Sequence, residues 1–257
     1  MARQKDDERD SGSAINRVLD LMEAIARTGR ALTVPELCGI LDLPKPTAHR
    51  LCQRLENEGY LAREPGGRHY AVGPRLMRLS IDVLRWGAGA ERRSILKGIV
   101  DEIGETCNFT ALAGDEVVYV DRVEARWPLR LHLEPGSRVP LHCTASGKLF
   151  LASMPPARRE RTLSAMNLSP FTAHTITDRA KLEDELAVIA SQGYSLDREE
   201  FLLGLVAIAV PVKDRSGATI AALACHAPGA RFDLGKAVER LPLFLEAATR
   251  LAATLPD

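Results

Sequence analysis

The 257-residue sequence has no apolar run approaching the roughly 18 residues that a membrane-spanning helix needs. It has no CxxC motif, and its five cysteines (Cys38, Cys52, Cys107, Cys143, Cys225) are odd in number and far apart. That excludes a disulfide framework or zinc ribbon and fits a reducing, cytoplasmic compartment. Net charge is missing as well: 34 basic residues balance 34 acidic ones, so total charge names no partner. The opening stretch Met1–Asp10 is densely charged, with no apolar segment to form a signal peptide. Internal repeats and low-complexity tracts are absent. What remains is 46% hydrophobic and 26% charged, ordinary for a globular chain with a real core.

Local charge is more informative than the total. Between Pro44 and Arg78, seven basic residues (Lys45, Arg50, Arg54, Arg63, Arg68, Arg75, Arg78) face three acids (Glu56, Glu58, Glu64), with His49 and His69 besides. A neutral chain with one basic segment fits a small nucleic-acid-binding module on a larger neutral body.

Residues 1–12 read as a polar tail. After Ser13, apolar residues Ile15, Val18, Leu19, Met22, Ile25 and Ala26 recur at helical spacing, and Gly29 can end that helix. Thr33–Glu36 is a capping box with proline in the first turn, opening a helix whose apolar face is Leu37, Ile40 and Leu41. A third helix follows Leu43–Thr47. It buries Ala48, Leu51, Cys52 and Leu55 and leaves Thr47, Arg50 and Arg54 outside. Gly59, a strand at Tyr60–Arg63, a turn at Pro65–Gly67 and a strand at Arg68–Val72 make a hairpin. Three helices and a hairpin over 13–73 are the order of a winged helix-turn-helix. A connecting helix is expected over 74–89.

From Ala90 onward the pattern is mixed. A helix over Ile95–Thr106 precedes strands at Phe109–Ala113 and Val117–Val123, with another strand at Leu129–Leu133. Helices follow at Thr144–Met154 and from Asp178 to Gly193. Strands at Leu205–Val212 and Ala218–His226, then a closing helix over Phe232–Leu255, complete the chain. Hairpin-connected strands favour an antiparallel sheet, hence an α+β fold.

Three blocks carry a family resemblance from Ala14 onward: LPKPTAHRLCQRL at 43–55 with Gly59 and Tyr60, GSRVPLHCTASGK at 136–148, and GYSLDREE at 193–200 continuing through GLVAIAVPV at 204–212 to Asp214. They resemble the IclR family of bacterial transcription regulators. The resemblance implies a winged helix-turn-helix, a linker helix and a GAF-like effector domain over 90–257. Homodimers or homotetramers follow from it, with operator DNA and a small effector as partners and RNA polymerase as a further one. Pro46 stands where the family often has serine, Ala207 where many members have cysteine, and Lys213 where an aromatic residue or histidine is preferred.

On the third helix, Lys45, Thr47, His49, Arg50 and Arg54 are expected to meet phosphates and base edges. Arg50 and His49 are the first base-reading candidates, with Lys45 and Arg54 setting register on the backbone; a plain solvated basic face on a protein-interaction helix is the alternative. Arg68 beside Gly67 is a candidate wing-tip contact or simply an exposed turn arginine. Gly147–Lys148 is not a phosphate loop, because His142 stands where that motif needs glycine. Ser146 lacks a nucleophile elbow, and Asp197 with Glu200 lacks a companion histidine for acid–base work. His142, Cys143, Cys225 and His226 could be drawn as metal ligands, but adjacent strand residues point to opposite faces, so no metal or other cofactor is expected. Exposed amides at the start of the 144–154 helix could hold an anionic ligand. By resemblance, Ala145, Ser146 and Asp197 face the effector; Leu205, Ala207 and His226 join them on neighbouring strands. Arg130 and Arg138 hint at a small organic acid, with an aromatic acid as a variant. The expected function is ligand-responsive transcription regulation, not catalysis. An enzyme on the C-terminal domain and a helix-turn-helix serving protein contacts are the rivals.

Overall fold

The computed structural model describes residues 14–64, 67–86, 89–127 and 133–255. The chain divides into two compact units at Val83/Leu84. The tail at 1–12, most of the Pro65–Gly67 turn, the end of the connecting segment and most of the strand expected at Leu129–Leu133 lie outside the described residues.

In the first unit, α1 (Ala14–Thr28) ends at Gly29, whose φ of +61° is left-handed. A two-residue strand β1 (Leu32–Thr33) leads into α2 (Val34–Leu41). Thr33 and Glu36 close the capping box. The Thr33 N–H donates to Glu36 Oε2 at 2.7 Å, and the Glu36 N–H donates to Thr33 Oγ1 at 3.4 Å. Asp42, itself left-handed at φ 50°, ends α2, and α3 (Lys45–Asn57) begins straight after Pro44. Strands β2 (Leu61–Arg63) and β3 (His69–Val72) pair antiparallel, with β1 on the other edge of β3. The core joins Leu21 and Ile25 of α1, Leu37 of α2, and Ala48, Cys52 and Leu55 of α3 to Leu32, Leu61 and Tyr70. This is a winged helix-turn-helix. Ile40 departs from the expected apolar face, being 52% exposed, because α2 is only two turns long and Val34 and Leu37 fill its contact. Next, α4 (Pro74–Trp86) carries the chain across the unit boundary with Leu79 and Val83 exposed.

The second unit opens with α5 (Gly89–Ile103), which starts and ends earlier than its apolar spacing predicts because Gly104, at φ +80°, turns the chain into β4 (Thr106–Ala113). Then come β5 (Glu116–Val123), β6 (Arg138–Pro140), α6 (Ala145–Ser153), α7 (Pro156–Ala165) and α8 (Arg179–Gln192). The chain continues through β7 (Ser195–Arg198), β8 (Leu205–Lys213), β9 (Thr219–Pro228), α9 (Leu234–Glu239) and α10 (Leu241–Ala252). All six strands pair antiparallel in the order β6-β5-β4-β9-β8-β7. Sequence patterning missed β6, α7 and β7, which are short or weakly periodic. The single closing helix is two. Pro242 sits at the start of α10, lacking an N–H and crowding the preceding turn, so the helix breaks at Arg240.

Neighbouring strand residues establish the two faces. Phe109 lies under Arg92 of α5, its ring centroid 5.6 Å from the guanidinium, whereas the next residue, Thr110, meets Ser146 of α6. Thus α5 covers one face and α6 the other. On the second face α6 is held close: a Cβ at Gly147 would sit 2.2 Å from the Leu141 carbonyl oxygen. Gly147→Ala should therefore cost about 1–3 kcal/mol or more through overpacking. Gly39→Ala, in open space within α2, should instead gain roughly 0.5–1 kcal/mol. Chemical denaturation of both variants is the check; equal effects would refute the close-approach account.

Candidate nucleic-acid interface and ligand site

Burial of Ala48, Cys52 and Leu55 sets the orientation of α3. At about 100° per residue, the direction opposite these three runs through Pro46, Arg50 and Asn57, with Gln53 and Arg54 about 50° to either side, and all five are exposed. His49 is exposed to one side, and Lys45, though about 50° from the buried direction, is exposed in the first turn. Thr47 is half-buried, its N–H donating to the Pro44 carbonyl at 2.9 Å, in a cleft shared with Arg17 and Asp42. Gln53 is the residue of this face that sequence reasoning passed over. Its polar, uncharged side chain stands out only once the buried direction is known.

The acids of the basic segment are drawn away from this face. Glu56 pairs with Arg63 at 3.0 Å, Glu58 with Arg75 at 3.1 Å, and Glu64 has His69 Nδ1 at 4.0 Å. Arg63 also donates to the Tyr70 hydroxyl, and Arg75 lies 4.5 Å from the Tyr60 ring centroid. Among the described residues, Lys45, His49, Arg50, Arg54, Arg68 and Arg78 have no side-chain hydrogen bond or ion pair with another residue. The surplus positive charge of the segment is thus left on Arg50 and Arg54 of the outer face of α3, on Lys45 at its start, on exposed Arg68 and on Arg78. Such a face attracts a polyanion.

In the second unit, strand register lays out the floor beneath α6. Asp197, Ala207 and His226 are cross-strand partners in one row. Ser195, Ala209, Ala224, Asn108 and Arg122 form the next, and Ala222, Thr110 and Tyr119 a third. Four alanines therefore occupy the middle and polar groups the margins. Ala145 and Ser146 are buried above this floor, and the Thr110 hydroxyl donates to Ser146 Oγ at 3.1 Å. Leu205 shares the face of Ala207, one row out, opposite Pro228. Sequence reasoning had no signal for Asn108, Thr110 or Arg122, which reach the floor only through the β4–β5 pairing.

Two polar networks border the floor. Asn108 Nδ2 lies 3.2 Å from His226 Nδ1, and Arg122 Nη1 donates to Asn108 Oδ1 at 3.1 Å while standing 3.4 Å from His226 Nε2. Burial, with the Arg122 charge adding to it, lowers the His226 pKa to about 3, so the ring is neutral. On the other side, Lys148 is fully buried. It donates to Glu185 Oε1 at 2.9 Å and to Glu200 Oε1 at 2.5 Å. The Glu200 N–H donates to Asp197 Oδ1 at 2.7 Å. Burial raises the Asp197 pKa to about 7, against the opposing pull of that N–H.

Several expectations are corrected by this geometry. The start of α6 offers no exposed amides: Ala145–Leu151 are buried, and the Gly147 N–H donates to Thr144 Oγ1 at 3.1 Å. Arg138 lies on the surface, paired with Glu116 at 3.1 Å, and Arg130 is outside the described residues. Glu200 holds Lys148 rather than backbone alone. His142 contacts the Ser169 carbonyl at 2.9 Å.

A carboxyl raised from its ordinary value near 4 to about 7 binds more protons in the folded than in the unfolded chain between those values. Stability then falls as pH rises from about 4 to about 7 and levels off above. Asp197→Asn lacks this loss, so its stability relative to the parent should climb across that window. Unfolding midpoints across the pH range are the test, and a constant difference would refute the assignment.

The chain matches the family model for the IclR helix-turn-helix domain over residues 14–65. It matches the model for the bacterial transcriptional regulator IclR C-terminal region over 89–253. It is 41% identical to a protein of Cupriavidus necator named "Probable transcriptional regulator SauR", covering 95% of this chain and 97% of that one. It is 27% identical to the transcriptional repressor IclR of Escherichia coli, covering 91% and 87%. Among solved structures, the Thermotoga maritima IclR superposes with a TM-score of 0.63 at 27% identity, covering 94% of this chain and 98% of that one. A double mutant of the inducer-binding domain of PobR from Acinetobacter, in complex with 3-hydroxybenzoic acid, gives a TM-score of 0.57 at 31% identity, covering 62% and 94%. No helix among the described residues is long and apolar enough to cross a membrane.

Proposed function

This chain belongs to the IclR family of bacterial transcriptional regulators, and from that premise we propose a specific division of labour. The outer face of α3 enters the major groove of an operator, and a small organic acid bound between α6 and the sheet changes the affinity for that operator. The observation that carries the DNA half is the sorting of charge: the acids of the segment are tied to Arg63, Arg75 and His69, leaving Arg50 and Arg54 free on the outer face of α3 and Lys45 free at its start. Lys45, Thr47 and Arg54 set register on phosphates, Arg50 and His49 reach base edges, and Arg68 touches the flanking groove.

The effector half rests on the alanine floor with its polar margins. Ala145, Ser146, Leu205 and Ala207 surround an aliphatic or aromatic body, while Asp197 and the His226–Asn108–Arg122 group address its polar ends. The hydroxybenzoic acid held by the PobR domain supports an acid of that size. A homodimer places two α3 helices on half-sites one helical turn apart. The exposed pairs Ile15 and Leu19 on α1, and Leu79 and Val83 on α4, give each copy an apolar stripe to cover. Effector binding shifts the population of two arrangements, with a coupling of about 1–3 kcal/mol typical of such systems, and α4 is the connection through which it passes. Further assembly into tetramers and contact with RNA polymerase are compatible with this scheme.

Two measurements test it. DNA affinity should fall steeply as salt rises from about 50 to 200 mM, because each phosphate neutralised releases counterions. Arg50→Ala should then cost roughly 1–3 kcal/mol on the selected operator. Salt-insensitive binding would sink the DNA reading. For the effector, a thermal-shift screen of small carboxylic and aromatic acids should yield a hit adding about 2.7 kcal/mol at a hundred times its Kd. The same acid should alter DNA retardation, and two glycines inserted near Leu84 should abolish that response while sparing binding to unrelated DNA. A response that survives the insertion would remove α4 from the scheme.

A further inference from the structure

Gln53 lies on the outer face of α3, three residues beyond Arg50 and about 60° from it around the helix axis. Its side chain is exposed and makes no hydrogen bond to another described residue. The other residues on that face have weaker claims. Pro46 has no polar side-chain atom. Asn57 is the last residue of the helix, about 10 Å along the axis from Arg50 at 1.5 Å per residue. Glu56, which would repel DNA, is held aside by Arg63 at 3.0 Å. Within one turn the outer face therefore presents the Arg50 guanidinium and the Gln53 carboxamide, separated by about 4.5 Å along the helix, with Arg54 on the other side of Arg50. Consecutive base pairs rise by about 3.4 Å, so the two side chains address neighbouring pairs.

Their chemistry is complementary. A guanidinium donates twice to the N7 and O6 of guanine, whereas a carboxamide donates to N7 and accepts from the N6 amino group of adenine. Resting on the operator-binding reading given above, we propose that Gln53 is a specificity-determining residue, holding an adenine in the base pair next to the guanine held by Arg50. The carboxamide is uncharged. It adds nothing to the pull on phosphates and releases no counterion, so its contribution is to sequence preference alone. This property separates it from Lys45 and Arg54.

The experiment is selection of bound duplexes from a library with a randomised window, using the full-length protein, followed by anisotropy titrations on the enriched duplex at several salt concentrations. The parent should enrich a guanine and an adenine side by side. Gln53→Ala should lose about tenfold or more of its preference at the adenine, keep the guanine, and keep the salt slope of the parent; Arg50→Ala should show the converse loss of guanine. Both positions are exposed, and thermal unfolding of each variant verifies that folding is intact. Enrichment of an unchanged sequence by Gln53→Ala would overturn the proposal. So would a loss of affinity equal on all duplexes, which marks a contact to the backbone. If the parent enriches no sequence, the operator-binding reading fails first, an outcome distinct from either.

Discussion

The buried ammonium of Lys148 organises the second unit. It projects from α6, has no exposure, and is met by Glu185 of α8 and Glu200 of the segment following β7. A charge removed from water this completely is tolerable only with close counter-charges, and losing one partner of such a pair typically costs several kcal/mol. Helix, helix and strand end are therefore held at one point. The Glu200 N–H passes that placement on to Asp197, whose carboxyl oxygen it meets at 2.7 Å. The same constraint explains Gly147. For the next residue to reach the acids, α6 must press against Leu141, where only a hydrogen in place of Cβ leaves room. A Gly–Lys pair that reads superficially like a phosphate loop is a device for close helix packing and an internal ion pair.

Burial acts on the two titratable groups of the alanine floor with the same sense, against charge. It drives the Asp197 carboxyl up and the His226 imidazole down, so both tend towards neutrality despite opposite acid–base character. Arg122 keeps its charge beside them and is accommodated by Asn108 and by Glu124 at 3.3 Å. A floor of methyl groups bounded by neutral hydrogen-bonding groups and one compensated cation accepts an amphipathic small molecule more readily than a bare ion.

Electrostatics in the first unit works by subtraction. The segment from Pro44 to Arg78 has a modest surplus of positive charge spread over helix, hairpin and connector. Folding sets its acids against Arg63 of β2, His69 of β3 and Arg75 of α4, so the positive charge left on α3 is unopposed. Exposed ion pairs of this kind contribute little to stability; their consequence is the pattern of potential they leave. The helix that carries that charge is itself anchored by apolar residues of ordinary type, Ala48, Cys52 and Leu55, against α1, α2 and the hairpin.

Much of this was legible in the chain itself. The capping box at Thr33–Glu36, the left-handed glycines at 29, 59 and 193, the Asp178 cap and the basic helix are local features, determined within a few residues by backbone sterics and short-range hydrogen bonds. The antiparallel character of the sheet followed from its hairpins for the same reason. Other features had no local signature: the strand β7, the inward course of Lys148, the outward one of Arg138, and the gathering of Asn108, Arg122 and His226. Each depends on partners far away in the chain, Asn108 and His226 being 118 residues apart. The amino-acid sequence by itself determined most of the longer elements and the basic character of α3. Which polar residues are buried together, with what charge, and which face of α3 is left unpaired was decided by tertiary packing alone, because desolvation and ion pairing exist only once distant segments exclude water from one another.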